Sequence, residues 1–188
     1  MARAARTRKT AADADLTDAQ KRDPVEWVKF YWEQSSDADP HPFLAMSSIL
    51  RVHALMTTTL EAELKTYELA LSDYLMLKTL ELSDDGTRLL SRVARHLLVH
   101  PTTVTLISDR LEKRGLLKRQ PHPHDRRATL VSITTKGRKV NADATRALEQ
   151  VDYGLPGLSP AKVKQLVSSL AYVRNQAGDE DRVHRESR

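Results

Sequence analysis

The chain has 188 residues, 40% of them hydrophobic, with 30 Lys and Arg against 25 Asp and Glu for a net charge of +5 and a pI near 9.5, the make-up of one basic globular domain with appendages. With no Cys there is no disulfide framework, thiolate nucleophile, cysteine-ligated zinc or thiol switch, and with six scattered Gly neither G-x-G-x-x-G nor G-x-x-x-x-G-K-[ST] occurs, which excludes nucleotide enzymes built on those cradles. No run approaches the roughly 18 uninterrupted apolar residues of a membrane helix, and no apolar signal core follows the N-terminal arginines, so the expected setting is the cytoplasm, with no membrane partner.

In chain order, residues 1–22 open with four basic residues among Ala, lack hydrophobic periodicity and read as a disordered basic arm. Asp23-Pro24 is an N-cap and first-turn pair opening a short helix with Val25, Trp27, Val28, Phe30, Tyr31 and Trp32, which a polar turn at 35–39 closes. Pro42 starts a long helix to about 65, where Phe43, Met46, Ile49, Leu50, Val52, Leu55, Met56, Leu60 and Leu64 recur at three and four. That stripe is wide enough to face two partners. Residues 71–82 make a third helix, stopped by Ser83-Asp84-Asp85-Gly86, and 87–90 fit a short strand. A helix over 91–99 turns Val93, Leu97 and Leu98 inward. After the His100-Pro101 turn, a helix over 102–114 buries Val104, Ile107 and Leu111, and Gly115 ends it at a C′ position. Strands over 116–120 and 129–133, joined by the polar loop PHPHDRR, form a hairpin. A helix follows Thr135 to about 151, and Ser159-Pro160 caps a last one to about 176, before a charged tail.

Charge is uneven along this order. Residues 86–127 carry ten Lys and Arg against three acids, so the other 146 residues are slightly acidic in sum. Such a basic segment is the footprint of a protein that neutralises phosphates, and the alternative meaning is a solvated helix face. No Phe, Trp or Tyr lies between Tyr74 and Tyr153. Single-strand binders need aromatic stacking platforms, so the partner expected is double-stranded DNA.

Helix, turn, helix, then a hairpin with a cationic loop is the order of a winged helix-turn-helix, and the fold class expected is mainly α with a small β-wing. A helix of about 13 residues spans roughly 20 Å, enough to cross a major groove. Thr102, Thr103, Thr105, Ser108 and Arg110 would offer it short hydroxyls and one long fork for base edges. The opening amides at Pro101 to Thr103 are placed to take a phosphate, and Arg119, Arg126 and Arg127 supply cations in the hairpin.

The run VTLISDRLEKRGLLKRQPHPHDRRATLVSITTKG at 104–137 resembles the signature of the multiple-antibiotic-resistance regulator (MarR) family: a recognition helix ending D-R-L-E-x-x-G, a strand ending in Arg, and a wing with D-x-R, five residues, then L-T. Asp125, Arg127, Ile133 and Thr134 match that wing, with Ile for Leu. The resemblance, which in helix order extends over about 42–151, implies a homodimeric transcription regulator, usually a repressor, whose N- and C-terminal helices intertwine. It places Thr103, Thr105 and Arg110 at major-groove positions and Arg127 at a wing tip entering the minor groove, steadied by Asp125. A narrow A·T-rich minor groove attracts such an Arg through its negative potential, and a carboxylate beside it can orient the guanidinium. Ala70 stands where many relatives place a hydroxyl cap. The Asp and Arg of the family's urate-responsive subset fall on Leu75 and Ile107, which argues against urate, and the cysteine-oxidation subset is excluded.

The resulting division is an arm at 1–22, dimerisation helices at 23–70 and 135–178, a DNA-binding domain at 71–134 and a tail at 179–188. His122-Pro123-His124-Asp125 has the residue types of a zinc or nickel site, but surrounding Lys and Arg repel a cation, and no metal or other cofactor is expected. His53, on the apolar side of the long helix, reads first as a core histidine. A pocket for a small aromatic or phenolic effector is expected around Trp32, Arg51, His53, Met56 and Tyr74. The other function classes weighed are a sequence-neutral architectural DNA binder and a metal hydrolase.

Overall fold

The computed structural model describes residues 23–179, so the arm at 1–22 and all of the tail but Asp179 lie outside the described residues. Helices α1 (Pro24–Ser35) and α2 (His41–Leu64) come first, α2 running into a 3-10 turn at Lys65–Tyr67. Then follow α3 (Leu71–Glu81), β1 (Thr87–Leu89), α4 (Leu90–His96), α5 (Pro101–Lys113), β2 (Leu117–His122), β3 (Asp125–Ile133), α6 (Thr135–Gln150) and α7 (Pro160–Gln176). The chain forms two compact units, one up to Leu55 and one from Met56.

In the first unit, local chemistry sets the helix ends. Asp23 accepts the Val25 amide at 2.8 Å, and Pro24 takes the first helical position, where a missing N–H costs nothing. Trp32 donates its indole N–H to Ala38 at 2.9 Å and stacks on Phe43 with ring centroids 5.3 Å apart. The apolar stripe of α2 stays largely uncovered: Phe43, Met46, Ile49, Leu50, Val52 and Leu55 are all exposed.

The second unit encloses its apolar residues. Leu64, Met76, Leu77, Leu80, Val93, Val104, Leu111, Leu117, Val131 and Leu148 are fully buried in one cluster, each worth about 1.5–3 kcal/mol of transfer free energy. Polar links join α3 to α6: Asn141 donates to Glu81 at 2.8 Å, and the Tyr74 hydroxyl meets Thr145 at 3.2 Å. Burial pushes the Tyr153 phenol up to about 12, helped by its hydrogen bond to Tyr74 and by the charge of Glu149.

The sheet is antiparallel in the order β1-β3-β2, so the short strand at 87–89 adds a third member to the expected hairpin. Thr87 pairs with Ser132 and Leu117 with Ile133. The seven-residue polar loop is shorter than expected. Pairing continues to His122 and Asp125, with an irregularity at Pro121/His122 that leaves Pro123 and His124 as the turn. The helix expected over 91–99 stops at His96, and Leu98 is 61% exposed rather than inward. It stops in a Schellman turn, with Leu98 donating to Arg95 and Val99 to Ala94, both at 3.0 Å, and Leu98 left-handed at φ 51°. Gly115 ends α5 the same way at φ 70°.

Candidate nucleic-acid interface

Helix α5 is built from an inward set and an outward set. Val104, Ile107, Ser108 and Leu111 are buried, at the i, i+3, i+4, i+7 spacing of one helix face. Ser108 is therefore not a groove residue, which corrects the expectation: it is fully buried and donates its hydroxyl to the Val104 carbonyl at 2.8 Å. Pro101, Thr102, Thr103, Thr105, Leu106 and Lys113 are exposed. The opening amides are not free for phosphate either. Pro101 has none, the Thr102 amide donates to His100 Nδ1 at 3.2 Å, and the Thr103 amide donates to the His100 carbonyl at 2.9 Å. Thr105 gives its hydroxyl proton back to Pro101 at 3.0 Å, which leaves the hydroxyl oxygen as an acceptor.

Two arginines one turn apart pin α5 to the junction ahead of α3. Arg110 donates from Nε to both oxygens of Asp73 at 3.1 Å and from Nη2 at 2.5 Å, and Asp73 is 1% exposed while the Arg110 side chain is 48% exposed. A buried carboxylate so paired also accepts the Ala70 amide at 2.9 Å, the return half of a capping box whose other half Ala70, with no side-chain acceptor, does not make. Arg110 is thus engaged along its Nε–Nη2 edge and keeps Nη1 available, a fork already half used. Arg114 donates to the Glu68 and Tyr67 carbonyls, the latter at 2.9 Å.

On the other flank, Arg119 of β2 reaches back to α5. It pairs with Asp109 and with Glu112 at 2.7 Å, and its amide donates to Glu112 at 2.9 Å. The guanidinium beside Glu112 holds that carboxyl below its ordinary value of 4.5. Arg119, expected to contact DNA, is held in this structure by the two acids of α5, Asp109 and Glu112. Thr134 completes the frame by donating its hydroxyl to Gly115 at 2.8 Å while accepting the Gly137 amide at 2.9 Å as the N-cap of α6.

At the wing tip, Asp125 accepts the backbone amide of Arg127 at 2.9 Å. The expectation had it orienting the guanidinium; its recorded role is to shape the turn that presents an exposed Arg127. The Arg126 side chain lies outside the described residues. His122 and His124 have ring centroids 6.1 Å apart, and among the described residues no group of three His, Asp or Glu could hold a metal ion.

The residues expected to form an effector pocket have separate surroundings. Arg51 and His53 are exposed on α2, so His53 is not a core histidine in this chain. Met56 is half-buried, Trp32 is engaged with Phe43 and Ala38, and Tyr74 is 5% exposed with its hydroxyl shared between Thr145 and Tyr153. Two open clefts of about 770 and 450 Å³ are lined elsewhere, the larger by Asp84, Asp85, Arg88 and Arg92 among others and the smaller around Gly115 and Lys136.

Residues 76–129 match the family model described as the MarR family. The chain is 30% identical over 128 residues to the HTH-type transcriptional repressor IacR of Pseudomonas putida, covering 66% of this chain and 74% of that protein. Among solved structures it resembles Sco5413, a MarR family transcriptional regulator from Streptomyces coelicolor, with 34% identity, a TM-score of 0.68 and coverage of 75% of this chain and 98% of that one. It also resembles BpsR of Bordetella bronchiseptica, whose DNA binding is regulated by 6-hydroxynicotinic acid, with 25% identity, a TM-score of 0.62 and coverage of 69% and 97%.

Proposed function

The chain belongs to the MarR family of transcriptional regulators, and from that premise we propose that it is a ligand-responsive repressor that binds a pseudo-palindromic operator as a homodimer in the cytoplasm. The observation that carries the reading is α5: a 13-residue helix, inward face closed, outward face of threonines and cations, braced on both flanks. A helix so held enters a major groove with little further ordering cost. Thr102, Thr103, Thr105 and the free Nη1 of Arg110 face base edges and phosphates, and Arg127 on its shaped turn enters the minor groove.

Homodimerisation is supported by the uncovered apolar side chains of α1, α2 and α7, among them Trp27, Leu50, Leu55, Val167 and Tyr172. The repressor role draws on IacR and the effector on BpsR, whose regulator is an aromatic carboxylate. Arg51 and His53, exposed on α2, suit a small aromatic or phenolic carboxylate enclosed only when a second copy is present.

The test is selection of duplexes from a random-sequence pool with the full chain, followed by footprinting. The expected footprint is two-fold symmetric with half-site centres about 10 bp apart, and with some eight phosphates contacted the slope of log K against log salt is about −7. Protection of every duplex alike would establish the sequence-neutral architectural reading instead, and a salt slope near zero would remove both.

A further inference from the structure

Leu106 is 60% exposed in the middle of α5. An isolated exposed leucine is ordinary on a protein surface, so its position has to carry the argument. With about 100° between successive residues, the buried set Val104, Ile107, Ser108 and Leu111 defines an inward line, and the line opposite is the one a groove floor would meet. Thr102, Leu106, Asp109 and Lys113 lie within roughly 30° of that outward line, while Thr103, Thr105 and Arg110 flank it at roughly 70–90°. Leu106 is the one apolar side chain on it, near the midpoint of the helix.

The neighbours leave it no other employment. Asp109, one turn on, is held by Arg119, and the Arg110 guanidinium is turned aside to Asp73. Neither covers Leu106. The outward line therefore presents a hydroxyl, an isobutyl group, a carboxylate already paired with Arg119 and an ammonium in succession.

Resting on the DNA-binding reading above, we propose that Leu106 is a thymine reader, seating its isobutyl group against the C5-methyl of one thymine on the major-groove floor of each half-site. The chemistry of the floor singles this base out. The thymine methyl is the apolar group a major groove offers, and every other edge there is a donor or acceptor. Leu106 set against guanine N7 and O6, or cytosine N4, would strip water from those groups and return no hydrogen bond. Against a methyl, both partners lose only apolar surface to water. Thr103 and Thr105 on the flanks can bond neighbouring edges without displacing it.

The experiment uses the full chain and the duplex recovered by selection, with each thymine replaced singly by uracil, which removes the methyl and preserves pairing. Burial of one methyl-sized group predicts about four-fold weaker binding for uracil in one half-site and about fifteen-fold for both, at one symmetry-related position. Leu106→Ala, at an exposed site where circular dichroism should match the wild type, is expected to bind thymine and uracil duplexes equally. A flat uracil scan, or an unchanged uracil penalty in Leu106→Ala, would overturn the proposal while leaving sequence-specific binding intact. Failure to enrich any duplex would remove the DNA-binding reading and this inference with it.

Discussion

The winged body and the terminal helices treat the same kinds of side chain in opposite ways. From α3 to α6 most of the large apolar residues are sealed, with Leu75, Leu82, Leu98 and Leu106 the exposed ones, and polar residues pair with each other: Arg110 with Asp73, Arg119 with Glu112, Asn141 with Glu81. On α1, α2 and α7, residues as large as Trp27, Leu50, Leu55 and Tyr172 stay 46% to 69% exposed. The segment His41–Tyr67 is, among the described residues, the one helix whose length and composition would let it cross a membrane. A soluble chain carries such a surface at a cost unless another surface covers it. The body, then, is completed by its own chain, and the terminal helices are the part that the homodimer proposed above would complete. Variants in the body should change melting temperature at any protein concentration, whereas variants in the terminal helices should change how melting depends on concentration.

The strongest way to break the body is at Gly137. A Cβ there would stand 2.0 Å from the Leu116 carbonyl oxygen, a backbone atom that cannot swing away. Gly137→Ala should destabilise by more than about 3 kcal/mol, beyond the usual range for overpacking, and should do so equally in dilute and concentrated samples. An unchanged melting temperature would mean that the first turn of α6 does not pack against the Leu116 carbonyl.

Breaking the terminal helices should look different. Leu50→Glu combined with Leu55→Glu places two charges on the uncovered stripe of α2, and subunit affinity should fall at least about 100-fold, near 2.7 kcal/mol. Operator binding would go with it, while circular dichroism of the body persists. Sedimentation equilibrium is the direct measurement. A double variant that associates like the wild type would assign the stripe to something other than a second copy.

Most of this body was legible in the sequence because its signature residues are structural. In D-R-L-E-x-x-G, Asp109 and Glu112 hold Arg119, Arg110 holds Asp73, Leu111 is core, and Gly115 takes the left-handed turn. Ile133 is core and Thr134 caps α6. Helix order, the N-caps at Asp23 and Ser159 and the Val104–Ile107–Leu111 line of α5 followed from residue types and spacing, whereas the start of α6 was placed one residue late, after Thr135 rather than at its cap Thr134. Tertiary pairing did not. Nothing local says that Arg110 meets a carboxylate 37 residues earlier, or that Arg119 turns back to its own recognition helix. Counting apolar residues inward also passed over Leu106, although its phase, one position off the Val104–Ile107–Leu111 line, was the available signal. Ser108 was misplaced for the complementary reason: a hydroxyl suggested a groove, while i+4 from Val104 points inward.

A smaller effect sharpens how the body is closed. Glu112 is held below its ordinary 4.5 mainly by its side-chain hydrogen bond to Arg119, with the Arg119 amide adding to it. A carboxyl depressed in the folded state stabilises above its unfolded value, and that contribution is lost as pH falls through the folded value. The clamp should therefore hold at neutral pH and release below about pH 4.5. The pair is partly exposed, so its contribution is at most about 1 kcal/mol. Glu112→Gln should lower the melting temperature slightly at pH 7 and make it less sensitive to acid between pH 5 and 3. Equal acid sensitivity in the two proteins would place the pH response elsewhere.

The smallest effect expected has the opposite sign, at a left-handed leucine beside the recognition helix. The two Schellman turns that bracket the recognition helix differ in a single choice, Gly115 at φ 70° after α5 and Leu98 at φ 51° after α4. A left-handed residue with a side chain costs about 1–2 kcal/mol relative to its right-handed form, and glycine avoids that cost but loses roughly 0.5–1 kcal/mol of backbone entropy on folding. Leu98 is 61% exposed, so little burial is forfeited by removing it. Leu98→Gly should raise stability by a few tenths of a kcal/mol to about 1 kcal/mol, independently of protein concentration, and Leu98→Val, β-branched and poorly suited to positive φ, should lower it. Because the turn joins the two helices of the DNA-binding motif, the comparison also asks whether the strain has a use. A Leu98→Gly protein that melts higher and binds its selected duplex as tightly as the wild type would mark the strain as incidental, whereas one that melts higher but binds more weakly would show that the leucine fixes the angle at which α5 is presented.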